Sequence, residues 1–197
     1  SQSLEAWFCH VPGLKVIAPA TPHDAKGLLK SAIRDQNPVI FIEAQLLYGT
    51  KGDVGDGEYT IPIGVAEVKR VGHHATIIAH SKMLLLALEA ADQLSQEGIE
   101  VEVIDPRTLK PLDIPTIVTS VKKTGRLVIV EEGWHFCGLG AQIAESVYAA
   151  AFDYLDAPIQ RVTGVDVPMP YSRPLEDAAI PDKARVIKAV KALCAAQ

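Results

Sequence analysis

Residues 75–104 read ATIIAHSKMLLLALEAADQLSQEGIEVEVI, and this stretch sets the fold class. Ala75 to His80 and Ile99 to Ile104 read as strands. Between them Leu84, Ala87, Leu88, Ala91 and Leu94 recur at helical spacing, and Gly98 offers the left-handed residue that closes such a helix. Strand, helix and strand in this order make a parallel βαβ unit. The same alternation continues outward on the C-terminal side. Ile114, Ile117, Val118 and Val121 predict a helix closed by Gly125, Leu127 to Val130 a strand, and Ala141 to Tyr154 a helix. Ile159 to Val162 is the last strand, and a helix from Pro181 to Cys194 turns Val186, Ile187, Val190 and Leu193 inward. Upstream, Val65 to Val71 adds one more strand. The whole is an α/β sandwich with helices on both faces of a sheet.

Ahead of it lies a smaller unit. Ser3 to His10, with Leu4, Trp7 and Phe8 at helical spacing, reads as the tail of a helix, and Leu14 to Ala18 as a strand. Thr21-Pro22-His23-Asp24 is a helix start: Thr21 caps, Pro22 takes the first helical position and Asp24 favours the positive dipole end. That helix runs to Arg34. Pro38 to Ile42 is fully apolar and reads as a strand buried on both sides. This strand–helix–strand stub has too little sheet to bury its own helix. Gly49 to Thr60, rich in glycine and acidic residues, is the clearest linker in the chain. The expected organisation is therefore a partial α/β domain with linker over 1–60 and a complete α/β domain over 61–197.

Composition narrows the function. The 197 residues are 48% hydrophobic and 22% charged, ordinary for a globular protein. With 19 Lys+Arg against 24 Asp+Glu the formal charge is −5, and no basic stripe marks a nucleic-acid surface. No apolar run approaches the ~20 residues of a membrane span. Cys9, Cys137 and Cys194 are odd in number, widely spaced and without a C-x-x-C pair, which argues against a disulfide framework or a zinc site and for a reducing compartment. The sequence opens at Ser1 without Met, which raises the expectation of processing or of a longer parent.

The candidate chemistry is sparse. Gly138-Leu139-Gly140 stands where phosphate-cradling glycines sit, but Ile143 holds the third position of a G-x-G-x-x-G fingerprint and no acidic residue follows for a ribose, so a tight strand-to-helix turn is the better reading. Glu131 and Glu132, at a strand's C-terminal end, point to opposite faces and cannot act as a pair; a structural or interfacial role is expected. His73-His74 reads as a solvated turn, and His80 as a capping or hydrogen-bonding residue. His135, beside Trp134 and Phe136, lies in an aromatic loop of the kind that buries an interface. His10 and His23 have no evident partner. Ala32 to Pro38 ends a helix whose last carbonyls either fray or, with the chain folded back over them, ligate a monovalent cation. A nucleophile elbow, a P-loop and an H-E-x-x-H motif are all missing from the sequence.

Several stretches in order resemble a known family. They begin with Ser1-Gln2-Ser3-Leu4-Glu5-Ala6-Trp7, Pro12-Gly13-Leu14-Lys15-Val16, Asp24-Ala25-Lys26-Gly27-Leu28-Leu29 and Ala32-Ile33-Arg34-Asp35, then Leu47-Tyr48-Gly49. In the second half come Glu102 to Leu109, Ser120 to Leu127, Val130-Glu131-Glu132-Gly133-Trp134, Asp153 to Pro158, Arg161-Val162-Thr163-Gly164 and Asp166-Val167-Pro168-Met169-Pro170-Tyr171. The set resembles the β subunits of the thiamine-diphosphate-dependent 2-oxoacid dehydrogenases over nearly the whole chain. Leu47-Tyr48-Gly49 and Pro168 to Tyr171 are similar to the pyruvate or acetoin branch rather than the branched-chain one.

The resemblance implies a transketolase-type C-terminal domain preceded by part of a pyrimidine-binding domain. It implies an α2β2 enzyme that holds thiamine diphosphate and Mg2+ between subunits, decarboxylates a 2-oxoacid and acylates the lipoyl group of an acyltransferase. The implied partners are the α subunit, a second β subunit and the acyltransferase's subunit-binding domain. The family's cofactor-activating glutamate and its catalytic histidine would both lie before Ser1, so no catalytic or cofactor-binding residue is assigned in this chain and the isolated chain is expected to be inactive. One family site carries over: a monovalent-cation (K+) loop at Ala32, Ile33, Asp35 and Asn37, mostly through backbone oxygens. A subunit-assembly module is the alternative reading of the polypeptide itself, and a generic nucleotide-binding domain is the outsider.

Overall fold

The strand–helix–strand unit of residues 75–104 forms as its pattern predicts. In a computed structural model describing residues 3–195, strand β4 (Ala75–Ala79), helix α3 (Lys82–Gln96) and strand β5 (Val101–Asp105) follow one another, with β4 parallel to β5. Ser1 and Gln2, the first two residues of the resemblance, lie outside the described residues. Strands β7 (Leu127–Trp134) and β8 (Gln160–Gly164) extend the sheet in parallel beyond β4, and β3 (Glu67–Arg70) closes the other edge antiparallel to β5. The order is β3-β5-β4-β7-β8, so the sheet is mixed rather than purely parallel.

Alternation along the strands sorts side chains onto two faces. Ala75, Ile77 and Ala79 of β4, with Val128 and Val130 of β7, meet Leu84, Ala87 and Leu94 of α3 and Val186 and Val190 of α7 (Lys183–Ala195). Ile78, Ile104, Leu127 and Ile129 meet α4 (Ile114–Thr124) and α5 (Leu139–Ala151) through Ile117, Val121, Ile143 and Val147. Two helix layers around one sheet give the three-layer arrangement. Each fully buried Leu or Ile contributes about 1.5–3 kcal/mol by leaving water. The ends of α4 are set by chemistry legible in the sequence. Asp113 Oδ1 accepts the Thr116 amide at 3.2 Å, and Gly125 takes φ +68°, open to glycine without penalty. Gly72 is required for another reason: a Cβ there would overlap the Val101 backbone.

The front unit departs from expectation in one important respect. Helices α1 (Glu5–His10) and α2 (Pro22–Arg34) and strands β1 (Lys15–Ile17) and β2 (Val39–Phe41) form where predicted, with Thr21 Oγ1 accepting the Asp24 amide at 3.1 Å. The stub does not stand alone, however. Strand β6 (Thr108–Lys110), which the sequence reading missed, runs back from the larger unit and pairs antiparallel with β1. The resulting sheet is β2-β1-β6. Strand β2 is half-buried, not buried on both sides, because it forms the edge and pairs with β1 alone. A short helix α6 (Arg173–Ala179) was also unread. Among the described residues no helix is long and apolar enough to cross a membrane.

Candidate functional site

In open α/β sheets the groups that meet ligands gather beyond the carboxyl ends of the strands. Here His80 directly follows β4 and β7 runs through Glu131 to Trp134, while α1 of the front unit lies on the other side of the space they border. The space between is a cleft of about 380 Å³, walled by Glu5, Trp7, His80, Trp134, Phe136 and Cys137 among others.

Glu131 and Glu132 diverge as their adjacency on a strand requires. Glu131 accepts the Gly140 amide at 3.0 Å and pairs with Arg161 Nη2 at 2.7 Å; Glu132 turns to the other face and pairs with Lys82 Nζ at 2.6 Å. Glu131 therefore sits at the amino end of α5 as its resident anion. A Cβ on Gly140 would strike that carboxylate and Arg161. The two glycines make room for an internal ion pair, and the place a nucleotide phosphate would take is filled by the protein's own carboxylate.

His80 is buried at the cleft wall, and burial pushes its imidazole below the usual pKa, against the opposing pull of Glu131 and Glu132. Glu5 goes the other way: burial raises it, Glu132 adds to the rise, and Lys82 opposes it. His135 gives its carbonyl to Arg161 at 2.8 Å, Trp134 Nε1 donates to Val167 O at 3.0 Å, and Phe136 stands 79% exposed. His74 Nδ1 accepts the Glu100 amide at 2.8 Å and so pins its turn, which the solvated-turn reading did not include. His23 stacks on Tyr59, and His10 lines the cleft.

A second constellation joins the two units and was missed by sequence reasoning. Arg107, at φ +55°, reaches Asp24 Oδ1 and Glu67 Oε2, each at 3.2 Å, and donates to the Val65 carbonyl. Lys69 pairs with Asp24 at 2.7 Å and also with Glu67. Burial alone would raise Asp24, but hydrogen bonds from Lys69, Thr21 and Arg107 hold it below the usual carboxylate range. Asp105 takes the Arg107 amide at 2.9 Å on Oδ1, while its buried Oδ2 has no partner. Burial, the largest influence, pushes its pKa up to about 7. Asp24 and Arg107 are 83 positions apart, and no spacing signal links them.

At the end of α2 the Asn37 amide, which would continue the helical ladder to Ile33, donates instead to Asp35 Oδ1 at 2.8 Å. Asn37 Nδ2 adds a bond at 2.9 Å and Lys15 pairs with the other carboxylate oxygen. The Lys15 pair, foremost, and Asn37 hold the Asp35 carboxyl at about 2. Ala32 O accepts the Asp35 amide at 3.3 Å. The Asp35 charge is thus answered by Lys15, and backbone carbonyls are the donors this loop has to offer a cation.

For a diphosphate and its magnesium the described residues are a poor fit. No group of three or more His, Cys, Asp or Glu among them is placed to hold a metal ion, and the amino end of α5 is already occupied by Glu131.

Residues 64–186 match the model of the transketolase C-terminal domain, and residues 1–51 that of the transketolase pyrimidine-binding domain. The chain is 52% identical over 195 residues to the pyruvate dehydrogenase E1 component subunit beta of Rhizobium meliloti, covering 98% of this chain and 42% of that protein. Against the subunit of the same name in Rickettsia felis it is 54% identical, covering 98% and 60%. The mitochondrial subunit of Caenorhabditis elegans is 52% identical, covering 97% and 56%. The chain thus spans about half the length of these relatives. A solved structure described as a split gene transketolase, inactive beta4 tetramer, superimposes with a TM-score of 0.79 at 27% identity, over 96% of this chain and 60% of that one. The chain belongs to the transketolase C-terminal domain family, and its sequence stands with the β subunits of the pyruvate dehydrogenase E1 component.

Proposed function

We propose that this chain serves as the C-terminal part of an E1 β subunit, in an α2β2 enzyme that decarboxylates pyruvate and passes the acetyl group to the lipoyl group of an acyltransferase. What carries the reading is identity of 52–54% across 97–98% of the chain to proteins of that name. Thiamine diphosphate with Mg2+ supplies the carbanion chemistry in such an enzyme. In our reading those groups are held by residues outside this chain, because the described residues fit neither the diphosphate nor the metal. The isolated chain is inactive in this proposal, with residues 1–60 belonging to a pyrimidine-binding domain and 61–197 to the transketolase-type C-terminal domain. Its own contribution is assembly, with the α subunit, a second β subunit and the acyltransferase's subunit-binding domain as partners. Ala32, Ile33, Asp35 and Asn37 hold a K+ ion mostly through backbone oxygens in this reading, which the Asn37 amide's turning away from Ile33 supports.

The description of the solved neighbour as an inactive β4 tetramer favours the assembly reading for the chain by itself. Two measurements test the proposal. Calorimetric titration of the isolated chain with thiamine diphosphate and Mg2+ is expected to give no saturable heat, and tight binding overturns the absent-site claim. Co-expression with an E1 α subunit is expected to yield a stable complex by size exclusion with light scattering. Failure of the two to associate overturns the β-subunit assignment.

A further inference from the structure

Asp105 is a buried carboxyl that no catalytic or binding role above uses. Its Oδ1 takes the Arg107 amide at 2.9 Å, while its Oδ2 is buried without a hydrogen-bond partner among the described residues. Glu67 stands opposite it in the β3–β5 register, so the two carboxyl groups share one face of the sheet. Asp24 of α2 completes a set of three acids served by Arg107 and Lys69. A buried carboxylate without a cation is costly there, and a protonated carboxyl is much less so.

The two cations differ in freedom. Arg107 is 8% exposed and donates to the Val65 carbonyl from Nε at 3.1 Å and from Nη2 at 3.0 Å, besides its bonds to Asp24 and Glu67. Its planar fork is thereby fixed. Lys69 instead sits at the slip in register between Val68 and Arg70, where β3 carries one residue more than β5. A bulge of this kind frees a residue from the ladder and re-aims its side chain. The Lys69 ammonium, with three donors on a flexible stem, pairs with Asp24 Oδ2 at 2.7 Å and with Glu67. Without it Asp24 still keeps the Thr21 hydroxyl at 2.6 Å and Arg107 at 3.2 Å.

We propose that Lys69 is a proton-controlled latch between the two units: it bonds Asp24 of α2 while Asp105 is protonated, and turns to the free Asp105 Oδ2 when that proton leaves for solvent. The exchange moves one ion pair from the joint into the larger unit. Low pH therefore tightens the hold on α2 and high pH loosens it. Burial, the largest influence, pushes Asp105 up to about 7, which places the exchange near neutrality. The charges that face Asp105 are Glu67 and Lys69 of β3, Asp24 of α2 and Arg107 of the turn. Strand β4 presents Ile78 and Ala79, and α3, which covers Val101 and Val103, brings only a Lys82 already paired with Glu132 at 2.6 Å. The latch lies wholly within this chain and does not depend on the β-subunit reading.

Two measurements on the full chain test it. In carbon-13 NMR of the side-chain carboxyls, Asp105 is expected to titrate with a midpoint of about 7. The Asp24 carboxyl resonance should step at the same midpoint, although its hydrogen bonds keep Asp24 itself ionised. Lys69→Gln should abolish the Asp24 step and move the Asp105 midpoint upward, because the ionised form then gains no cation. Asp105→Asn should abolish the Asp24 step as well. Crystals grown at pH 5 and at pH 9 should show Lys69 Nζ on Asp24 in the first and on Asp105 Oδ2 in the second. An Asp105 midpoint below pH 5, an Asp24 resonance that ignores the titration, or a Lys69 that keeps Asp24 at pH 9 overturns the proposal. So does an Asp24 step that survives in Lys69→Gln. The titration and the crystals need only the parent chain, so they decide the matter even if a variant fails to fold.

Discussion

Glu131 lies on a strand between an apolar core and a helix end, and two partners and its burial define what it can do. Its side chain accepts the Gly140 amide, pairs with Arg161 and is almost fully buried. The sequence alone shows that Glu131 and Glu132 diverge, because neighbouring strand residues face opposite ways. It does not show Arg161 or Lys82, since ion-pair partners 30 and 50 positions away are brought in by strand order and not by spacing. Glu131→Ala leaves the Arg161 guanidinium uncompensated and the Gly140 N–H unbonded, and is expected to cost about 3–5 kcal/mol in urea unfolding. Glu132→Ala, which uncovers a Lys82 nearer solvent, should cost clearly less, and equal losses would contradict the assigned difference in burial. The three cysteines separate just as sharply. Burial, foremost, pushes the Cys9 thiol up to about 11 and Cys194 upward, whereas Cys137 is exposed. The thiolate is the reactive form, so peptide mapping after brief maleimide treatment at pH 8 should find Cys137 labelled first and Cys9 last. Early labelling of Cys9 would mean that α1 does not stay packed on the sheet.

Elements with a regular period were legible, and those made by a few residues were not. The stripe of α3 and the caps of α2 and α4 each follow from local chemistry that the chain displays within ten or so residues. Strand β6 is three residues long, follows directly on Asp105-Pro106-Arg107, and owes its conformation to β1 some ninety residues earlier. No window of sequence contains both partners, so neither periodicity nor turn chemistry announces it. The same holds for β2, whose apolar run suggested a central strand although its position makes it an edge. Leu109 of β6 is 2% exposed in the cluster that also contains Val16 of β1 and Ile117 of α4. Leu109→Ala is expected to lose about 2–5 kcal/mol. The loss should be concentrated where β6 holds the front unit. Hydrogen exchange should quicken at the amides of Ile17 and Ala18, the latter bonded to Arg107 O at 3.0 Å, before it quickens in β4. Uniform acceleration across both sheets would show instead that the two units open together.

At the scale of the molecule, the question is what holds the front unit to the larger one, and the answer is partly electrostatic. Composition suggests a division of the chain at the glycine-rich linker, but it gives no hint of the cluster of Asp24, Glu67, Lys69, Arg107 and Asp105, because its members come from α2, β3, the end of β5 and the turn after it. Three carboxylates face two cations there. Asp24 and Glu67 share the cations, which leaves Asp105 with a backbone amide on one oxygen and nothing on the other. The charged groups acting on it are Lys69 of β3, Asp24 of α2 and Arg107, while neighbouring β4 presents Ile78 and Ala79, which do not titrate. Its pKa of about 7 in the folded state lies above that of an unfolded aspartate, near 3.9. Below about pH 4 both states hold the proton and burial of this group carries no ionic cost. Between pH 4 and 7 the unfolded chain ionises while the folded one does not, so stability falls as pH rises, by at most about 4 kcal/mol at roughly 1.4 kcal/mol per unit. Above about 7 the loss is complete and flat. Asp105→Asn keeps an acceptor for the Arg107 amide and removes the titration. The melting temperature of the variant minus that of the parent is therefore expected to climb from pH 5 to 7.5 and then level off. A difference that stays constant, or falls, across that range would mean that Asp105 is ionised throughout and that the joint balances its third carboxylate in another way.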